Sequence, residues 1–124
     1  MAIFNGKQPK QIMPDESIPF ELTNGETVGL LISWASIERL KVTRDESYAE
    51  LNRILTKGAT DVSDNIRVVF AAYRGCYLCE NGSAAGAMRY EDFLNLVPMD
   101  FALVGQTVRA LVDPNCRRGS EARF

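Results

Sequence analysis

Along most of this chain apolar residues recur at three- and four-residue steps, the period of an amphipathic helix. One early stretch differs. Ile18-Pro19-Phe20-Glu21-Leu22 alternates apolar and polar positions and reads as a short strand or extended lead. Pro19 has no backbone N–H to give a ladder and confines that strand to a sheet edge, with Ala2-Ile3-Phe4 as a candidate mate in a small hairpin. Thr23 followed by Glu26 has capping-box spacing, which predicts a first helix from about residue 24. Its apolar positions are Leu30, Leu31, Trp34, Ala35, Ile37 and Leu40, with Lys41 at the same spacing, and Trp34 is assigned to the core.

A second capping box, Thr43 with Glu46, opens a helix whose buried stripe is Tyr48, Leu51, Ile54 and Leu55, and Lys57-Gly58 closes it. Asp61 or Ser63 is placed to cap the third and longest helix, expected over residues 64–80. Its apolar residues Ile66, Val69, Phe70, Tyr73, Cys76 and Tyr77 are flanked by further apolar positions, so it reads as a central helix. The small-residue loop 81–86 follows. Tyr90–Leu96 then makes about two turns with Glu91 and Asp92 at the favourable N-terminal end, and Pro98 forces a break. Asp100 caps a final helix with Phe101, Val104, Val108 and Leu111 inward, and Pro114 stops it.

The pattern predicts a mainly α, single-domain helical bundle of four to five helices with a short extended N-terminal lead, packed around Trp34, Phe70, Tyr73, Phe93 and Phe101. Residues 1–17 read as an irregular arm, 18–113 as the domain and 114–124 as a charged, fraying tail. A length of 124 residues suits one core of this kind.

Composition narrows the chemistry. Fourteen basic against sixteen acidic residues, without a block of like charge, give no footprint for tracking a phosphate backbone, so nucleic acid is a poor partner. No apolar run is long enough to span a bilayer and residues 1–10 lack a signal-peptide pattern, so the chain is expected to stay in the cytoplasm. Histidine is absent, which removes Ser-His-Asp and Cys-His nucleophile activation and imidazole pH switching.

Cys76 and Cys79 form a Cys-x-x-Cys pair that would suit a redox dithiol or half of a zinc site. Their place near a helix C-terminus disfavours a thiolate, and only Cys116 remains to complete a metal site, so inert thiols without a disulfide are expected. The acid pairs Asp45-Glu46 and Glu91-Asp92 read as first-turn helix residues rather than as a general acid and base. Asn5-Gly6, Asn24-Gly25 and Asn81-Gly82 are turn dipeptides outside any phosphate-binding pattern, and Arg117, Arg118 and Arg123 make the tail mildly basic. Neither a cofactor, a metal nor a catalytic residue is assigned. What remains is surface for another protein, with Tyr48, Tyr77 and Tyr90 as anchor candidates that would serve equally as core-edge tyrosines.

The lead Phe20-Glu21-Leu22-Thr23-Asn24-Gly25, the segment Asp64-Asn65-Ile66-Arg67-Val68-Val69-Phe70-Ala71-Ala72-Tyr73 and the helix–proline–helix run from Tyr90 to Asp100 together resemble the tail assembly chaperones of long-tailed bacteriophages and prophages. The resemblance spans about residues 18–113 and rests on compositional patterns. It implies a non-enzyme in the bacterial host cytoplasm that binds the tape measure protein, helps recruit tail tube protein, and allows a homo-oligomer. Two alternatives stand beside it: a structural phage tail or head–tail connector component, and a small cytosolic Cys-x-x-Cys redox or metal module.

Overall fold

The computed structural model describes residues 17–113. In chain order these form β1 (Ile18–Glu21), β2 (Thr27–Leu30), α1 (Trp34–Val42), α2 (Tyr48–Lys57), α3 (Val62–Asn81), α4 (Tyr90–Leu94) and α5 (Phe101–Val112). The described part is mainly helical, with one two-stranded antiparallel sheet on its N-terminal side. The proposed mate Ala2–Phe4, Cys116 and the arginines of the tail lie outside the described residues.

The strand at Ile18 forms, but its mate is β2, in the region where the capping-box spacing predicted a helix. Asn24-Gly25 decides this. The Leu22 amide donates to the Glu26 carbonyl at 2.8 Å, and the Gly25 amide to the Leu22 carbonyl at 3.0 Å, closing a three-residue loop. Gly25 takes φ +91°, a left-handed conformation that glycine adopts without Cβ strain. Asn24 Oδ1 accepts from the Glu26 amide at 3.0 Å, so Glu26 is a turn residue and not a helix cap. Thr27 and Val28 are β-branched and suit the strand.

The first helix therefore begins at Trp34, capped by Ser33, whose hydroxyl accepts from the Ser36 amide while Ser36 Oγ accepts from the Ser33 amide. Starting there turns Ser36 and Leu40 inward and leaves Trp34 89% exposed, which overturns its assignment to the core. Thr43 ends this helix instead of opening the next one: Asp45 N–H donates to Leu40 O and Arg44 N–H to Lys41 O, a Schellman closure with Arg44 at φ +56°. α2 starts after Ser47, and Leu51 and Ile54 are buried while Leu55 is exposed.

α3 is the longest element at 20 residues and packs against β2 and every other helix. Asp61 caps it and Gly82 ends it with φ +77°. A Cβ on Gly75 would lie 3.1 Å from Ser36 Cβ, so glycine there permits the close crossing of α1 on α3. Phe70, Tyr73 and Phe93 are buried together, as the sequence predicts, with Phe93 stacked on Tyr73 at 5.3 Å between centroids. α4 is shorter than expected, at five residues, with Glu91 and Asp92 in its first turn. Asp100 caps α5, accepting from the Leu103 amide, and Val104, Thr107 and Leu111 are buried. Phe101 is 64% exposed, so the second core aromatic assigned from periodicity is also overturned.

Asp64 ties α2 to the start of α3. Its carboxylate accepts from Arg53 at 2.7 Å and from the Thr60 amide and hydroxyl at 2.8 and 2.9 Å. The Arg53 hydrogen bond, with those from Thr60, lowers its pKa from 3.8 to about 2. The folded state thus binds fewer protons than the unfolded chain between these values, and the associated stability, full above pH 4, is lost as pH falls to about 2. Denaturant titrations across this window should show stability falling with acid, and Asp64→Asn should flatten that fall while lowering stability at pH 7. An unchanged acid profile in the variant would show that Asp64 does not carry the linkage.

Candidate functional site

The three tyrosines do not converge. Tyr48 is half-buried against the core. Tyr77 tilts on Tyr73 at 6.1 Å and donates its hydroxyl to the Ala85 carbonyl at 3.2 Å. Tyr90 meets Phe70 edge-on at 5.0 Å under the Arg67 guanidinium, and lines a cavity of about 180 Å³ with Glu46, Ser47 and Glu50. Each ring has a clear packing role, and Tyr77 and Tyr90 line different cavities.

Cys76 is buried and its Sγ donates to Glu80 Oε2 at 3.8 Å, while Cys79 is half-buried. Burial, reinforced by the Glu80 carboxylate, pushes the Cys76 thiol up to about 12. Burial also raises Cys79, against a smaller opposing pull from Arg39. A nucleophilic dithiol needs the opposite shift.

Asp45, read from sequence as a first-turn helix acid, instead meets Arg74 of α3. Arg74 Nη2 donates to Asp45 Oδ1 at 2.8 Å, its Nε lies 3.2 Å from both carboxylate oxygens, and its Nη1 donates to the Met88 carbonyl at 2.8 Å. Burial raises the Asp45 pKa, but hydrogen bonds from Arg74 and Ser47 outweigh it and hold the carboxyl below its ordinary value. One side chain thereby fixes the α1–α2 turn and the segment leading into α4. Tyr73 helps from the same helix, its hydroxyl accepting from the Met88 amide at 2.8 Å.

Two surfaces are left for binding. The first is a groove of about 550 Å³ between β2 and α3, lined by Glu26, Thr27 and Gly29 on one side and by Tyr73, Tyr77 and Glu80 on the other. The second is the outer side of α5 and the residues before it. Met99 is 87% exposed and Phe101, Leu103 and Val112 are exposed as well. Phe101, Gly105, Val108 and Val112 follow one another at helical spacing along the flank of the buried face. Among the described residues an added Cβ on Gly105 would meet nothing within 4 Å, so no contact there calls for glycine. In a helix interior that glycine costs about 1 kcal/mol relative to alanine.

Sequence periodicity missed this surface by turning Phe101 inward. The available signal was composition: in Phe101–Val112 the polar side chains are Gln106, Thr107 and Arg109 alone, too few to cover a solvated face. Among the described residues no helix is long and apolar enough to cross a membrane. Comparison with protein-family models, with curated proteins and with solved structures returns no match.

Proposed function

We propose that this protein is a tail assembly chaperone of a long-tailed bacteriophage or prophage: a non-enzymatic binder that holds apolar helical segments of the tape measure protein and helps recruit tail tube subunits in the host cytoplasm. The observation that carries the reading is the uncovered apolar side of α5, where Met99, Phe101 and Val112 stand in solvent around Gly105. A partner helix laid along this stripe would bury those side chains, and Gly105 would let its backbone approach closely. The resemblance of the Asp64–Tyr73 and Tyr90–Asp100 segments to this family supplies the identity of the partner, which surface chemistry alone does not.

Co-expression with the very long, coiled-coil-rich reading frame expected just downstream tests the assignment. The long protein should stay soluble and co-purify. The pair Met99→Lys with Phe101→Glu should leave thermal unfolding within a few degrees, because both side chains are exposed and an acid suits the first turn of α5, yet weaken capture at least about tenfold. Absence of such a reading frame, or full capture by the double variant, would overturn the proposal.

A further inference from the structure

We propose that the free edge of β2 is a docking site for an extended, basic peptide segment of a partner protein, separate from the α5 surface. The register of the hairpin sets which backbone groups are available. Leu22 and Glu26 form a hydrogen-bonded pair, so the alternation of an antiparallel ladder makes Phe20↔Val28 and Ile18↔Leu30 hydrogen-bonded pairs too. Glu21↔Thr27 and Pro19↔Gly29 are then non-hydrogen-bonded pairs, which agrees with Pro19 having no N–H to give. The N–H and C=O groups of Thr27 and Gly29 therefore point away from β1. Among the described residues neither amide donates to another element, whereas the next outward amide, Leu31, donates to the Ala72 carbonyl at 3.1 Å, so α3 closes the edge there and the open stretch is Thr27–Gly29.

The two edges of the sheet differ. On β1 the outward position Pro19 offers no donor, which blunts that edge against pairing. On β2 the outward positions keep both donors and acceptors, and Glu26, Thr27, Val28 and Gly29 line the 550 Å³ groove. Here an added strand would find a ladder on one side and the Tyr73 and Tyr77 rings on the other. Charge selects its composition: among the described residues Glu26 and Glu80 line the groove and no lysine or arginine does, so a segment carrying lysine or arginine is favoured over an acidic one. Strand addition of this kind draws affinity from main-chain hydrogen bonds and selectivity from the flanking side chains.

The test titrates the full-length, isotope-labelled chain with a short peptide of alternating valine and lysine, and with a valine–glutamate counterpart. The basic peptide should shift the Thr27 and Gly29 amide resonances saturably and protect both from exchange, and the acidic one should not. Thr27→Pro removes one outward donor without touching the β1–β2 ladder, and should weaken binding about tenfold. Glu26→Gln with Glu80→Gln should weaken binding several-fold and abolish its salt dependence, a readout that stands even where the proline variant folds poorly. Equal binding of the two peptides, undiminished binding by the charge variant, or no shift with the basic peptide would overturn the proposal. So would exchange protection of Thr27 and Gly29 before any peptide is added, since the edge would then already be filled by the chain itself or by a second copy.

Discussion

Phe93→Ala is expected to lower the stability of the domain by about 3–5 kcal/mol, the range for removing a large aromatic ring from a packed core. Phe93 has no exposed surface, and its ring stacks on Tyr73 at 5.3 Å and tilts on Phe70 at 5.4 Å between centroids. It matters beyond its volume because α4 is only five residues long and has no side-chain cap, so it gains little from its own hydrogen bonds. Docking must hold it. Tyr90 between Phe70 and the Arg67 guanidinium, the Tyr90 amide on Glu46 Oε2 at 3.3 Å and the Thr23 amide on the Leu96 carbonyl at 2.9 Å are further ties, each weaker than burial of the Phe93 ring. Chemical denaturation should show the loss, and amide exchange should show residues 90–96 opening ahead of α3. Against a total of about 5–15 kcal/mol, a loss below 1 kcal/mol would mean that α4 is not anchored through this ring.

Arg74→Ala should cost a comparable 3–5 kcal/mol, for a different reason. Its side chain is 10% exposed and that of Asp45 2%, so removing the guanidinium leaves a buried carboxylate with Ser47 as its one remaining side-chain partner among the described residues. The Met88 carbonyl loses its donor as well. The pH dependence separates this mechanism from simple loss of packing. In the parent, Asp45 ionises below its ordinary value, so the stability it confers is present above pH 4 and declines as pH falls through the folded pKa. Without Arg74 the buried carboxyl is pushed up instead, and protonating it relieves the variant. The gap between parent and Arg74→Ala should therefore be widest at neutral pH and narrow in acid. A gap independent of pH would assign the effect to packing. Asp45→Asn combined with Arg74→Met should cost less than the sum of the single changes, because the two residues share one interaction.

Much of the helical frame was legible because its signals are local. Asp61 and Asp100 cap α3 and α5, as expected, by accepting from amides three residues ahead, and Gly58 and Gly82 lie at the ends of α2 and α3. The central aromatic group of Phe70, Tyr73 and Phe93 followed from the helical period. Errors arose where one spacing served two structures. Thr23 and Glu26 have the separation of a capping box, yet the Asn24-Gly25 turn between them makes a hairpin, and the loss of that predicted helix moved Trp34 from core to surface. Thr43 and Glu46 misled in the same way, since Thr43 is the C-cap of α1 and Arg44 and Asp45 between them close that helix, with Asp45 paired to Arg74. Of the candidate surfaces, Tyr77 lines the groove beside β2 while Tyr48 and Tyr90 pack half-buried against the core, and Met99, Gly105 and the β2 edge gave no periodic signal.

The sequence by itself determined where α2 to α5 begin and end within a few residues, the central position of α3, and the absence of any imidazole chemistry, because capping and helical periodicity act over one or two turns of chain. Only the tertiary structure decided that Thr27–Leu30 is a strand, that Trp34 and Phe101 face solvent, and that Asp45 belongs to Arg74, 29 residues away. These outcomes depend on which elements come together, and packing free energy between distant segments outweighs the small local preferences that a sequence window reports.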